Sequence, residues 1–139
     1  MIEPAYQDIE SEQIPIVKEK AGMVKVISGN FHGTVGPGQS HTPILILDIQ
    51  LLENSELTIP LTDGWNLFSF IYEGDVFAGQ KLSKGQLAVY EKDGSVNFKT
   101  KDNEAGIFFA AGEPLNEPVA RGGPFVMNTQ GEVLQAFED

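Results

Sequence analysis

The stretch that decides the fold is "LTIPLTDGWNLFSFIYEGDV", which runs from Leu57 to Val76. It predicts a strand, a tight turn at Asp63-Gly64 and a second strand that ends in Glu-Gly-Asp. Many small β-barrels of this outline hold a metal ion between histidines before the turn and a carboxylate after it. Other residues occupy those places here, so the question is whether the chain has an active site at all.

Seven short runs, including the two around this turn, have the length and composition of β-strands, and none is long enough for an ordinary helix. Lys84-Gly85 and Asp93-Gly94 break the runs, and Asp-Gly tolerates the positive φ of a type I′ hairpin. The alternate residues of "ILILDIQL" form one apolar face that we expect to pack into a core. The runs are "MVKVISG", "ILILDIQL", "SELTIPL", "NLFSFIYEGD", "QLAVYEK", "SVNFKT" and "AGIFFAAG".

Phenylalanine recurs at alternate positions of these runs, which predicts the filled interior of a small barrel. The pairs that share a face are Phe68 with Phe70, Val96 with Phe98, and Ile107 with Phe109. An interior filled in this way leaves less room for a ligand.

Regularly spaced strands joined by Gly, Asp and Pro turns, without helices between them, predict an all-β antiparallel sandwich or barrel. A parallel α/β fold would need crossover helices that the pattern lacks. Residues 1–20 are polar and acidic and predict an extended N-terminal arm before a single barrel in residues 21–139.

One short helix is predicted at the end of the chain, in "TQGEVLQAFED". Thr129 and Glu132 have the spacing of a capping box, and Val133, Leu134 and Phe137 share a helical face.

The composition restricts the function. The 139 residues carry 20 acidic and nine basic side chains, a formal charge of −11, so clustered cations for nucleic-acid binding are missing. No run reaches the length of a membrane span, and the acidic start is unlike a signal peptide. We expect a soluble cytoplasmic protein. Without cysteine, any metal would need His, Asp or Glu ligands.

Three longer stretches carry a family resemblance: the opening one, "VISGNFHGTVGPGQSHTPILILDIQL" and "GEPLNEPVARGGPFVMNT". Together they resemble the second half of pirin-like proteins, which are two-domain members of the cupin superfamily. "PAYQDIESEQIP" is similar to the segment after the first barrel of those proteins, so the likeness runs from Pro4 to Asp139. It implies a double-stranded β-helix, the cupin jelly-roll barrel. An excised domain, a short gene product and an engineered fragment stay open as origins.

The resemblance also implies where the family's chemistry lies. In pirin-like proteins the first barrel binds iron through three histidines and a glutamate, and some members are similar to quercetin dioxygenases. The animal protein resembles a nuclear co-regulator of transcription. The second barrel lacks those ligands, so the resemblance implies no cofactor in this domain.

Cupin metal sites use His-x-His on one strand, a carboxylate about four residues later and a histidine from a later strand. Aligned by the shared Glu-Gly ending, the histidine places hold Pro60 and Thr62, and the carboxylate place holds Asn66. The second motif, in "AGEPLNEP", offers Leu115 and Asn116 where a histidine is needed. These residues are poor ligands for Fe, Mn, Cu or Zn.

A different site could in principle use the two histidines of the chain. His32 and His41 lie in a glycine-rich segment and could join Glu113 or Glu117 at the barrel mouth. No ligand spacing supports this site, and loop histidines in ordinary hydrogen bonds are the simpler interpretation.

The segment "AGEPLNEPVARGGPFVMN" is dense in glycine and proline and predicts an irregular backbone path. It is either a crossing loop that closes the barrel or a docking surface, and both can hold together. Apolar residues exposed there as one patch would mark an interface. We therefore expect a homodimer, or docking to a second cupin domain or another protein partner. The interface candidates are Leu115, Asn116, Glu117, Phe125, Val126 and Met127.

These observations favour a metal-free cupin barrel that serves as a binding or scaffold module of a pirin-like protein, with a regulatory role as one option. Two alternatives stay open. The chain is part of a quercetin 2,3-dioxygenase-like enzyme whose metal site lies in an N-terminal cupin domain, or it is a barrel that binds a small molecule such as a flat flavonol.

Overall fold

Short strands dominate the structure, a computed structural model that describes residues 2, 3 and 5–139. A 3-10 turn at Ser11–Gln13 precedes the first strand. The elements are β1 (Ile16–Glu19), β2 (Gly22–Ser28), β3 (Asn30–Phe31), β4 (Thr34–Val35), β5 (Ile44–Leu51), β6 (Glu56–Ile59), β7 (Asn66–Glu73), β8 (Asp75–Ala78), β9 (Gln80–Ser83), β10 (Leu87–Val89), β11 (Val96–Lys99), β12 (Ala105–Gly112), β13 (Ala120–Gly122), β14 (Phe125–Met127) and α1 (Gln130–Glu138).

The chain divides into two compact units, residues 7–114 and residues 115–139 with the described residues up to Tyr6. The larger unit holds a six-stranded sheet in the order β1-β2-β5-β12-β7-β10 and a four-stranded sheet in the order β6-β11-β8-β9. The paired strands of both sheets are antiparallel. Between β5 and β12 the chain passes repeatedly from one sheet to the other, as a jelly roll does. The predicted all-β antiparallel architecture is confirmed.

Alternating side chains build the core of the 7–114 unit. Leu45, Leu47, Ile49 and Leu51 of β5 are all buried, as the sequence predicts. Because strand side chains alternate between faces, β2 and β12 bury every second residue against them. The core residues of these two strands are Val24, Val26, Ala105, Ile107, Phe109 and Ala111.

The aromatic residues of β7 face the opposite way from the prediction. Phe68 and Phe70 share a face, but each is 37% exposed, while Leu67, Ser69 and Ile71 point into the core. Both faces of this strand are rich in apolar residues, so the period of two does not decide which face is inside. The smaller residues occupy the interior, which Phe98 and Phe109 already fill.

The three predicted glycine breaks are real turns, but they do not form hairpins. Gly64, Gly85 and Gly94 have φ values of +88°, +87° and +96°. Each lies between strands of different sheets, so the predicted type I′ hairpin at Asp93-Gly94 is wrong. A two-residue turn with positive φ at both positions instead joins β3 to β4, at His32 and Gly33.

The predicted N-terminal arm contains the 3-10 turn and β1, whose four residues pair with β2. Residues 1 and 4 of that arm lie outside the described residues. Gln7 also contacts the glycine-rich segment, because its side-chain amide donates to the Pro37 carbonyl at 2.8 Å and accepts from the Gln39 amide at 2.9 Å.

The smaller unit is a hairpin packed on the C-terminal helix. β13 pairs with β14, and Phe125 packs edge-on against Phe137 of α1 with 5.0 Å between ring centroids. The predicted capping box of Thr129 and Glu132 is confirmed, because each side chain accepts a hydrogen bond from the other residue's backbone N–H. Of the predicted helical face, Val133 is buried whereas Leu134 is 65% exposed. Within the described residues, no helix has the length and apolarity needed to cross a membrane.

Candidate functional site

The barrel interior, where cupin chemistry would take place, is filled by aromatic side chains. Phe98 packs edge-on against Phe109 and against Tyr90, with ring centroids 6.2 Å and 6.4 Å apart. Phe98 and Phe109 are completely buried. Ile59 and Ile71 belong to the same core. This part of the interior is therefore closely packed with apolar side chains.

One polar pair lies in this apolar surrounding. The hydroxyl oxygens of Ser69 and Tyr90 are 2.7 Å apart, and Ser69 is completely buried. Burial raises the pKa of Tyr90, and its hydrogen bond to Ser69 partly offsets that rise. Two neutral hydroxyls that satisfy each other form a structural pair, and hydroxyls are weak ligands for a transition metal.

The residues at the predicted ligand places do not fit iron. Pro60 follows the end of β6, Thr62 lies in the turn, and Asn66 begins β7; all three are exposed. The residues that do point inward nearby are Leu67 and Ser69, which offer no imidazole or carboxylate. Throughout the part of the chain that the structure describes, no three His, Cys, Asp or Glu side chains gather where they could hold a metal ion.

The histidines take ordinary roles within the 7–114 unit. The Nδ1 atom of His32 lies 2.9 Å from Oε1 of Glu19, and its ring stacks on Phe31 with centroids 4.0 Å apart. His41 is exposed. In the smaller unit, Glu117 accepts a hydrogen bond from the side-chain amide of Asn128 at 2.9 Å. The structure thus gives the alternative histidine site no support among the described residues.

A shallow cavity of about 670 Å³ lies between the glycine-rich segment and the turn before β7. Gly36 and Ser40 of that segment line it together with Ser28 of β2, and Thr62 and Trp65 line it from the side of the turn. Its volume suits a small organic molecule. Trp65 is the single tryptophan of the chain, so its fluorescence reports on this cavity.

The predicted interface residues lie in the smaller unit and differ in exposure. Leu115 and Val126 are 63% and 60% exposed, and Asn116 and Glu117 are also exposed. Phe125 and Met127 are half-buried, and Phe125 helps to hold α1. Their role as an interface stays a prediction.

A polar cluster that the sequence analysis missed lies on the outer face of the six-stranded sheet. Tyr72 donates a hydrogen bond to Asp48 at 2.5 Å, and Lys25 lies 4.0 Å from the other carboxylate oxygen. Burial and this hydrogen bond raise the pKa of Tyr72 to about 12. The three residues come from different strands, β7, β5 and β2, so only the strand register brings them together.

Comparison with known proteins identifies the fold and the family together. The cupin fold seen here matches the family model described as the pirin C-terminal cupin domain, over residues 46–139. The chain belongs to this family, and the resemblance predicted from the sequence is confirmed.

Relatives match over the whole chain. It is 39% identical over 145 residues to human Pirin, and the match covers all of this chain and 50% of that protein. It is 36% identical over 146 residues to Pirin-1 of Arabidopsis thaliana, covering all of this chain and 51% of that protein. The chain therefore spans about half the length of the curated relatives it matches.

Solved structures confirm the predicted cupin barrel. A crystal structure of quercetin 2,3-dioxygenase from Acinetobacter baumannii matches with a TM-score of 0.89 and 26% identity, over 97% of this chain and 48% of that one. GK1651 from Geobacillus kaustophilus matches with a TM-score of 0.76 and 25% identity, over 84% of this chain and 50% of that one.

Proposed function

We propose that this chain is a metal-free cupin barrel that works by binding another protein rather than by catalysis. The observation that carries the proposal is the apolar core: Phe98 packs on Phe109 and on Tyr90 inside the barrel, where a metal would need imidazole and carboxylate ligands. Family membership alone does not decide function, because function depends on the residues of the site.

The chemistry of the inward side chains supports the same conclusion. Iron in cupins needs neutral imidazoles and a carboxylate that leave coordination positions open for dioxygen and substrate. Here the inward positions of β7 carry Leu67, Ser69 and Ile71. To bind iron, this barrel would need several of its core residues replaced, not one.

An interaction role requires apolar surface that a partner can cover. Leu115 and Val126 of the predicted interface supply such surface on the smaller unit. The glycine- and proline-rich backbone around them supports a surface of fixed shape. We propose docking to another cupin barrel or to a regulatory protein in the cytoplasm as the use of this segment.

Turnover of quercetin tests the proposal against catalysis. The purified chain is incubated anaerobically with Fe²⁺ and then supplied with quercetin and dioxygen, beside buffer that contains the same Fe²⁺. We expect equal rates in the two samples, because no residues hold the iron near the substrate. Turnover above the buffer rate that disappears in His32→Ala or His41→Ala would overturn the proposal.

A quercetin 2,3-dioxygenase-like enzyme is the second candidate, and the structural match to the Acinetobacter baumannii protein favours it. Because this chain covers 48% of that protein, the reaction would require a metal site in an N-terminal cupin domain. Adding this chain to such a domain and measuring kcat/KM tests this candidate. An unchanged kcat/KM rejects it.

A small-molecule-binding barrel is the third candidate, and the cavity of about 670 Å³ beside Trp65 favours it. A flavonol that binds there should quench tryptophan fluorescence and raise the melting temperature, because a ligand that binds only the folded state stabilises it. Thr62→Phe would fill part of the cavity, because Thr62 lines it with an exposed side chain. Quenching that persists in this variant would place the ligand elsewhere.

A further inference from the structure

One block of the six-stranded sheet exposes large apolar side chains on its outer face. We name it the apolar sheet patch and define it as Phe68, Phe70, Leu87, Val89 and Phe108. The register places Leu87 opposite Phe70 and Phe70 opposite Phe108, while Val89 lies opposite Phe68. Directly opposed residues of antiparallel strands share a face, so the five side chains form one continuous surface.

The side chains of this patch are substantially exposed to solvent. Phe68 and Phe70 are each 37% exposed, Leu87 is 59% exposed and Val89 is 79% exposed. Since a large side chain presents about 150–250 Å² when free, the patch exposes on the order of 400 Å² of apolar surface. A contiguous patch of that size on a single chain commonly marks an interaction site.

The patch also carries no charge on a strongly acidic chain. Its neighbours on the same face are Ala110 and Ile46, opposite each other in the sheet. Asp48 lies directly opposite Phe108 of the patch, and it has Lys25 and Tyr72 as partners. The formal charge of −11 therefore arises elsewhere. Two copies that meet through this face bring no like charges of the patch together.

The edge of the sheet beside the patch is a very short strand. β10 is the terminal strand of the six-stranded sheet, and its three residues are Leu87, Ala88 and Val89. Shortness is one of the usual protections of an edge strand against pairing, so this edge is not itself the expected contact. The apolar face beside it is the surface that a partner would cover.

The area fits what a dimer of this size requires. A standard interface buries about 800 Å² per partner, of which somewhat more than half is apolar. The apolar sheet patch supplies most of that share, and the Lys25, Asp48 and Tyr72 cluster lies at its border as a polar rim. Two sheet faces can pack on each other about 10 Å apart.

We propose that a second copy of this chain covers the apolar sheet patch, so that the protein is a symmetric dimer joined through the outer faces of its two six-stranded sheets. This inference rests on the proposed interaction function and names its partner and surface. An identical chain presents the same uncharged apolar face, as a two-fold interface requires. The predicted segment from Leu115 to Met127 is then left for other partners.

Light scattering after gel filtration, over a wide range of protein concentration, tests the dimer. We expect the wild-type chain to give twice the 15.1 kDa mass of one chain. Val89→Glu and Phe70→Glu should each weaken the dimer at least about tenfold, because an unpaired charge would be buried at the interface. Raising the salt concentration should strengthen the wild-type dimer by screening the repulsion between two acidic chains.

Two matched variants control for a general effect of adding an acid to an exposed apolar residue. Phe77→Glu changes a side chain that is 51% exposed on β8 of the other sheet. Val126→Glu changes a residue of the predicted interface that is 60% exposed. Both should stay dimeric, and circular dichroism should show that all four variants are folded.

A wild-type chain that stays monomeric at every concentration would overturn the proposal. A dimer that survives Val89→Glu and Phe70→Glu but dissociates in Val126→Glu would also overturn it and would assign the interface to the predicted segment. Metal analysis of the same fractions separates this result from the proposed function. A metal-free monomer contradicts only the dimer, whereas bound stoichiometric iron contradicts the metal-free function.

Discussion

Ser69 and Tyr90 decide much of what the barrel interior can do. Their hydroxyls lie 2.7 Å apart among apolar side chains, so each satisfies the other in a place where an unpaired polar group is costly. Cupin enzymes use inward strand positions of this kind for metal ligands. Here the positions next to Ser69 on the same face are Leu67 and Ile71, so its neighbours along the strand are apolar.

Removing one partner of this pair should expose its structural role. Tyr90→Phe leaves the buried Ser69 hydroxyl without its partner and should lower the free energy of unfolding by about 1–3 kcal/mol. Ser69→Ala should also destabilise the fold, because it leaves the Tyr90 hydroxyl without its partner. Urea unfolding of both variants and of the double variant measures the coupling. If the losses of unfolding free energy in the two single variants sum to the loss in the double variant, the two hydroxyls do not interact directly.

The pKa of Tyr72 gives a second test at a single residue. Burial and the hydrogen bond to Asp48 raise this pKa from 10.0 to about 12. Tyr72 therefore stays protonated to a higher pH in the folded state than in the unfolded state. The stabilisation from this phenol is complete below about pH 10 and is lost as the pH rises toward 12. The difference in tyrosinate absorbance between the wild type and Tyr72→Phe, after rapid pH jumps, measures this pKa.

Asp48→Asn is the control for this titration. Without the carboxylate, the pKa of Tyr72 should fall but stay above its ordinary value, because burial is the larger cause. An unchanged titration in Asp48→Asn would contradict the hydrogen bond.

At the scale of elements, the pairing of β7 with β12 contains a shift of register. Their register shifts between Gly106 and Ile107. The ring of Tyr72 lies directly over Gly106, so a Cβ atom at that position would overlap the ring. Glycine at a bulge allows this close approach, and the ring of Tyr72 covers the backbone of Gly106.

Gly106→Ala should therefore destabilise the barrel by roughly 1–3 kcal/mol, the usual cost of overpacking. In a Tyr72→Ala background the same substitution should cost clearly less, since the ring that it displaces is gone. Chemical denaturation of the four proteins in this cycle provides the measurement. An equal cost of Gly106→Ala in both backgrounds would show that the ring is not the obstacle.

The elements also show how far the sequence predicts the fold. β5 and β12 were predicted with their exact bounds, because long alternating apolar runs have a clear period. The hairpin of β8 and β9 was missed, since four-residue strands around Gly79 give too short a pattern.

The orientation of β7 was predicted wrongly because both of its faces are apolar. The turn at Asp93-Gly94 joins two sheets, and turn residues alone do not distinguish this from a hairpin.

The candidate site was predictable in part. Residue types alone identify Pro60, Thr62 and Asn66 as unsuitable ligands, but their exposure depends on where β6 ends and β7 begins. The apolar sheet patch and the Tyr72 cluster depend on cross-strand register. That register is fixed by long-range pairing, so no local pattern predicts it.

At the scale of the whole molecule, the core belongs to one unit. Every member of the large hydrophobic cluster, from Ala21 to Ala111, lies within residues 7–114. The smaller unit has its own contacts, in which Val133 is buried and Phe125 packs on Phe137.

A fragment of residues 7–114 should therefore fold by itself. We expect a β-type circular dichroism spectrum and a single cooperative thermal transition, because the fragment keeps both sheets and the full cluster. Calorimetry of the fragment beside the full chain measures this. A broad, non-cooperative transition would contradict the assignment of the core to this unit.

Iron binding tests the central claim most directly, since the claim is that the barrel interior is a packed core without metal ligands. The full chain is incubated anaerobically with excess Fe²⁺ and desalted, and the iron retained per chain is measured by mass spectrometry. The filled interior around Phe98 and Phe109 predicts no more iron than an unrelated acidic protein retains. One tightly held iron per chain would contradict the account.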